Sequence, residues 1–421
     1  MKEMIKGLRY AILNMFDNTN VTTDADLSDE MKTYYSDYLI DNAEPKLVHD
    51  QFGQKQPIPK NGGKTIEFRK YDSLDKALTP LTEGVTPSGK KLKVSVITAT
   101  VDQYGDYIEL SDVLQLTAID NNLVQATKLL GSQAGRTLDT ITREVLNGGT
   151  NVQYAAGEVS DRSGLIGGQA SGNHYLTVDA IKKAVRFLKV MNAEPVEGND
   201  FVAIIHPDCE YDITNDPDWK DPHKYVDTEN MYNGEIGKIA GVRFVETTEA
   251  KVFHAPDLTS ADRTLAVNGA VSASTAVVFD GNTVAVAAHE LKGRILQFYD
   301  ATNGWQIGEV ADNTASTGTS TITLKAALTI ANDAVIYPGE AGRGGRDVYS
   351  TLIIADNAYG VTEVEGGGLQ HIVKGLGSAG AADPLNQRAT VGWKAIKTAE
   401  RLVEQFMVRI ETCSTFAVGA N

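Results

Sequence analysis

At 421 residues the chain exceeds what one hydrophobic core usually organises, so its length implies two or three structural units. Its 42% hydrophobic and 22% charged residues are an ordinary globular mix, and no run approaches the roughly 20 apolar residues that span a bilayer. A formal net charge of −16 argues against tight non-specific binding to nucleic acid, and Cys209 and Cys413 alone, without metal-ligand spacing, support neither a disulfide framework nor a zinc site. A reducing compartment fits this cysteine usage.

Residues 1–60 read as an arm. The opening "MKEMIKGLRYAILNMF" has a short apolar run interrupted by Glu3, Lys6 and Arg9, so a signal peptide is not expected. "LSDEMKTYYSDYLIDNAEP" predicts a helix with Ser28 as N-cap, Asp29 and Glu30 at its positive end and Pro45 as its stop. The Pro- and Gly-punctuated "QKQPIPKNGGK" then predicts an extended segment.

"KTIEFRKY" sets Ile66 and Phe68 against Glu67 and Arg69, and "KLKVSVITATV" sets Leu92, Val94 and Val96 against Lys93 and Ser95. This period-two alternation predicts two strands. Between them lies the polar "YDSLDKALTPLTEGVTPSGKK", residues 71–91, too long for a connection that serves only its own domain. Residues 60–93 carry a local charge of +4, against −7 over residues 17–50 and −8 over residues 200–249. Two readings fit: a solvated loop with ordinary lysines, or a basic element that docks on an acidic surface.

Apolar residues then recur every three or four positions from Ile119 through Leu123, Ala126, Leu130, Ala134, Leu138 and Ile141 to Val145, the narrow stripe of one long helix. Gly131 and Gly135 within it imply close packing, and "NGGT" predicts a left-handed stop. "TVDAIKKAVRFLKVMN" predicts a helix capped by Thr177 that buries Ile181, Val185 and Leu188, followed by an apolar strand "FVAIIHP" and another around Val242–Val245. From Lys251 to Gly345 the chain turns to short strands, with hairpins expected at Asp280-Gly281 and Asn303-Gly304, so an all-β insertion is expected. In the tail, Phe406, Val408 and Ile410 alternate as a strand expected to pair with the hairpin region.

The chemical inventory is nearly empty. Phosphate-loop, HExxH and GxSxG motifs are all missing. "PGEAGRGGRD" reads as a flexible exit from the insertion and "GGGLQHIVKGLGSAGAAD" as a mobile loop. His206 and Asp208, just past a strand, read better as a His-Pro turn than as catalytic groups. "NDPDWKDPHKY" lacks the glycine and closing glutamate of a calcium loop and reads as a surface loop stiffened by Pro217 and Pro222.

The order of parts, together with "GGKTIEFRKY", "LTPLTEGVTPSG", "QYGDYIELSD", "GSQAGRTLDTITREVLNGGTN", "GEIGKIAGVRFVET" and "DPLNQRATVGWKA", resembles the major capsid (coat) proteins of tailed bacteriophages, and within them the N-four-like coat family. The resemblance implies an α+β chain of the Hong Kong-type shell fold. It implies an N-terminal arm (1–60), an extended loop (61–105), a peripheral domain with the spine helix (106–160), an axial domain in two parts (161–250 and 346–395) around the all-β insertion domain (251–345), and a returning peripheral strand (396–421). It implies a structural protein, not an enzyme, with no cofactor and no crosslinking expected, that self-assembles as pentamers and hexamers around double-stranded DNA. Portal and scaffolding proteins, and a decoration protein on the outer surface, are the further partners implied; assembly in the bacterial cytoplasm is expected. Lys70, Lys76, Lys90 and Lys91 are the expected loop contacts, and Asp24, Asp26, Asp29 and Glu30 the expected acidic arm contacts. The rival reading is a soluble enzyme or carbohydrate-binding protein with a β-rich module.

Overall fold

The computed structural model describes residues 48–58, 64–71, 74, 76–81, 83–86, 88–117, 122–168, 172–196, 198–223, 237–259, 264–280, 286–315, 318–364, 368–378 and 384–416. The expected arm helix, with Asp24, Asp26, Asp29 and Glu30, lies outside them. Strands β1 (Gln54–Ile58), β2 (Thr65–Tyr71), β3 (Val94–Thr100) and β4 (Asp102–Ser111) precede a short helix α1 (Asp112–Thr117) and a long one, α2 (Asn122–Asn147). Next come β5 (Val152–Tyr154), α3 (Val178–Val190), β6 (Phe201–Ile205), α4 (Pro207–Asn215), α5 (Pro217–His223), β7 (Lys238–Ile239), β8 (Val242–Glu246) and β9 (Val252–Phe253). Six strands follow, β10 (Leu265–Val267), β11 (Val271–Asp280), β12 (Ile295–Asp300), β13 (Gly304–Asn313), β14 (Ser320–Ile330) and β15 (Val335–Pro338). The chain returns through β16 (Val348–Ile354), β17 (Tyr359–Val364), β18 (Gln370–Lys374), β19 (Arg388–Lys397), β20 (Ala399–Arg401) and β21 (Met407–Thr412).

The apolar stripe of α2 forms as expected over 26 residues, about 39 Å at 1.5 Å per residue. Leu130, Ala134 and Leu138 pack on Val391, Trp393 and Ala395 of β19, which pairs along its whole length with β4, from Arg388 opposite Ser111 to Lys397 opposite Asp102. Gly131 and Gly135 are buried in this helix. Its end differs from the expectation, since neither Gly148 nor Gly149 is left-handed. The Arg401 guanidinium donates to the Val145 carbonyl instead, and a Cβ on Gly148 would strike that group while one on Gly149 would strike Glu404. The two glycines thus make room for an arginine–glutamate cap.

A second unit is the mixed sheet β5-β21-β16-β6-β8-β7, with β9 added on β16. Thr177 caps α3 by accepting from the Ala180 amide, and Ile181, Val185 and Leu188 face the sheet core as expected. Here two expectations are corrected. The tail strand β21 does not pair with the hairpin: it lies between β16 and β5, buried on both faces, so its apolar residues do not alternate. The strand that meets the hairpin region is β19. Likewise residues 217–223 are helix α5, not a loop, because Asp216 caps it by accepting from the Asp218 amide and also binds the Val178 amide.

Strands β10-β11-β14-β13-β12-β15 form a closed barrel with its own core of Val277, Phe279, Leu296, Phe298, Val310 and Ile336. β11 pairs with β10 and β14, so no hairpin forms at Asp280 within the described residues. The β12–β13 hairpin has a three-residue loop, 301–303, because Asp300 pairs with Gly304, whose φ is +71°. The "PGEAGRGGRD" segment is packed rather than flexible: a Cβ on Gly342 would lie 3.1 Å from both the Leu165 carbonyl and Cys413 Sγ, and Gln297 of β12 bonds the Gly342 carbonyl and the Gly344 amide. Part of the other glycine-rich segment is also ordered, as β18 on β19.

Asp300 anchors the barrel turn by accepting from the amides of Thr302, Asn303 and Ala331, and these bonds hold its carboxyl down from 3.8 to about 2. A lowered folded pKa contributes stability above the unfolded value that is lost as pH falls through the folded one. Thermal unfolding followed against pH is therefore expected to show Asp300→Ala less stable at neutral pH and lacking the wild-type loss between pH about 4 and about 2.

Candidate assembly interface

Phe68 and Ile66 project from one face of β2 and Ala99 from β3, forming with Val101 a small core closed by Ile97, Ile396 and Leu402. Phe68 lies on Gly360 of β17, where a Cβ would come 2.7 Å from its Cζ. The buried face of β3 is thus the one bearing Ile97 and Ala99, while Val94 and Val96 face solvent. Between Tyr71 and Val94 no helix or strand occurs among the described residues.

The loop so held exposes Leu74, Leu78, Leu81, Val85 and Leu92, with Leu78 at 83% and Leu81 at 77% exposure. Fully burying one such side chain is worth about 1.5–3 kcal/mol, so several together make a strong drive to be covered. Lys76, Lys90 and Lys91 are exposed on the same loop. The backbone of Lys70 lies in the ladder opposite Ser95, so the structure gathers the four lysines on one hairpin. In the sequence this loop stands out by its charge and not by its leucines, for which the available signal is their spread through a segment without helical or strand period.

At the base of this element residues 48–58, the last part of the expected 1–60 arm, are locked into the body instead of reaching away from it. The His49 amide and Nδ1 both bond the Asp139 carboxylate of α2, at 2.8 and 2.7 Å, and the Tyr359 hydroxyl donates to the His49 carbonyl. Asp50 accepts from Thr142 of α2 and pairs with Lys397 of β19, whose ammonium burial pushes below its ordinary pKa. Removing one member of such a buried pair strands the other and costs about 3–5 kcal/mol. β1 then runs parallel to β17, from Gln54 opposite Gly360 to Ile58 opposite Val364. The extended segment is therefore a paired strand. No local signal could have revealed Lys397 as the partner of a residue so distant in sequence.

A cleft of about 450 Å³ near His206, Asp208, His254, Asp347 and Tyr349 is where the enzymatic rival would need its chemistry. His206 caps α4 by accepting from the Asp208 amide, burial pushes its pKa down, and His254 Nδ1 lies 3.0 Å from Asp347. Burial pushes the Tyr349 hydroxyl up. Among the described residues no three His, Cys, Asp or Glu side chains converge as for a metal ion.

Residues 55–303, more than half of the chain, match the profile of the family described as "Phage capsid protein". The chain belongs to this family. Its fold is similar to that of the capsid subunit of cyanophage Pam1, at 10% identity and TM-score 0.53 with 88% of this chain and 92% of that chain covered. It is also similar to the capsid of Ralstonia phage GP4, at 10% identity and TM-score 0.51 with 86% and 87% covered. No curated protein sequence matches the chain. The chain is thus a major capsid protein of a tailed phage with the Hong Kong-type shell fold, and its work is to form the icosahedral head by association with its own copies. The family is a structural one, and the enzyme or carbohydrate-binding alternative is not favoured. Among the described residues no helix is long and apolar enough to cross a membrane.

The exposed leucines of a capsid protein's loop should matter to association and not to the subunit. The pair Leu78→Ser and Leu81→Ser is expected to shift subunit stability by no more than about 0.5 kcal/mol in chemical denaturation, as for surface positions. The same pair is expected to reduce particle yield severely in sedimentation of assembled material.

Proposed function

We propose that the residue 72–93 loop and the arm, of whose expected residues 1–60 the stretch 48–58 packs on its own subunit, are the elements that reach onto neighbouring subunits. The observation that supports this is the set of apolar side chains on a loop that stays exposed among the described residues. In this reading Lys70, Lys76, Lys90 and Lys91 contact acidic surface on a neighbour, while Asp24, Asp26, Asp29 and Glu30 do the reverse from the arm. Complementary charge then sets register, and apolar burial supplies the affinity. The expected bounds, with 346–395 axial and 396–421 peripheral, are redrawn along the sheets: α2 with β4, β18 and β19 serves as the peripheral domain, the mixed sheet with α3 and β21 as the axial domain around fivefold and sixfold centres, and the barrel as an insertion domain.

The subunits form pentamers and hexamers through large, noncovalent interfaces with the energy spread over many contacts. The shell encloses double-stranded DNA without sequence-specific binding, and the net charge of −16 keeps packaged DNA from adhering. Portal and scaffolding proteins act in assembly in the host cytoplasm, and the outer surface accepts a decoration protein.

The test is negative-stain electron microscopy of the intact chain and of a variant in which residues 72–89 become a short Gly-Ser turn. The intact chain should give shells or capsomer-sized rings. The variant should remain a folded monomer without them. A uniform small oligomer from both, with scaffolding protein supplied, would reject the loop as an assembly element.

A further inference from the structure

Successive side chains of a strand point to opposite faces, and β17 uses both faces for the two segments in question. On one face Tyr359 and Val361 meet the chain after the arm: Tyr359 bonds the His49 carbonyl, and a Cβ on Gly53 would come 2.6 Å from both side chains. On the other face Gly360 seats the Phe68 ring at the base of the loop. β19 repeats the arrangement with two neighbouring residues. Ile396 packs into the loop-base core, and Lys397 pairs with Asp50. α2 closes the assembly from the arm side through Asp139 and Thr142.

Two of the contacts that seat the loop base, Phe68 on Gly360 and the packing of Ile396, thus lie on strands whose reverse side holds the arm exit. Packed contacts of this kind resist continuous deformation, so a displacement on one face moves the strand or breaks its contacts on the other. The geometry points to Gly360 and Lys397 as positioning residues that couple the extended loop to the arm exit, so that a neighbour's grip on either one changes the stiffness and direction of the other. This rests on the reading of loop and arm as assembly elements, but the coupling itself belongs to the isolated subunit. Reciprocity is its signature, because a coupling free energy acts equally in both directions.

Hydrogen–deuterium exchange on the unassembled full chain tests it. Gly360→Ala places a methyl against Phe68, and exchange should speed roughly tenfold both in residues 65–71 and 94–100 and, on the far face of β17, in residues 48–53, which do not pair with Gly360. Lys397→Met should produce the same pair of changes from the other side, and Lys397→Arg should restore protection in both segments. Barrel residues 265–338 should be unchanged in all three. Acceleration confined to the mutated side overturns the coupling, and so does uniform acceleration that includes the barrel, which would mean a structural role alone. Particle assembly by the wild-type chain reports separately on the underlying reading: exchange coupling without any shells would leave the coupling standing and remove its purpose, whereas shells with purely local exchange would do the opposite.

Discussion

Apolar surface that one chain cannot bury has to be buried by another, and this constraint organises the capsid subunit. The loop between β2 and β3 carries leucines left exposed among the described residues, and it leaves the body on a two-stranded stem. The stem is anchored where Phe68 is seated on Gly360, and Lys397 pairs with Asp50 on the neighbouring strand. A sticky loop on a floppy stem would fold back on its own subunit or aggregate. On a rigid stem it presents the same face in the same direction on every copy, as repeated closed symmetry demands.

Much of the secondary structure was legible where one periodicity ran uninterrupted. The stripe of α2, the Thr177 cap of α3, and the strands of the hairpin follow from local spacing alone. The failures share a cause. β21 reads as alternating because Val408 and Ile410 are apolar, but Arg409 and Glu411 between them are equally buried: Glu411 takes two bonds from Arg162, at 2.7 and 2.8 Å, and lies 2.9 Å from Arg409. Buried, paired charges look like a solvent face in sequence, and only the partner at Arg162 reveals otherwise. α5 was hidden because Pro217 starts it, a position where proline suits a helix.

Glycine was misread for a related reason. The segments around Gly342 and Gly148 suggest freedom, yet in both a missing side chain is filled by a neighbour, the Leu165 carbonyl and Cys413 in one and Arg401 in the other. At Gly360 the neighbour is the Phe68 ring itself. A glycine that permits contact and one that permits motion are identical in a single sequence. Of the interface, the basic hairpin was visible as charge. Its apolar content, and the network behind it, depended on which surfaces stay uncovered after folding.

The barrel enters and leaves the mixed sheet through adjacent strands, with Phe253 of β9 opposite Val348 of β16, and Arg294 bridges its wall to Glu340. A closed barrel also has no free strand edge to pair with copies crowded around it. The strand order of the main sheet therefore need not change when barrel residues 265–338 are altered, since none of them adds a strand to it. Such an arrangement is a cassette: a peptide grafted into its 301–303 turn would lengthen one barrel hairpin and leave the strands of the mixed sheet in register.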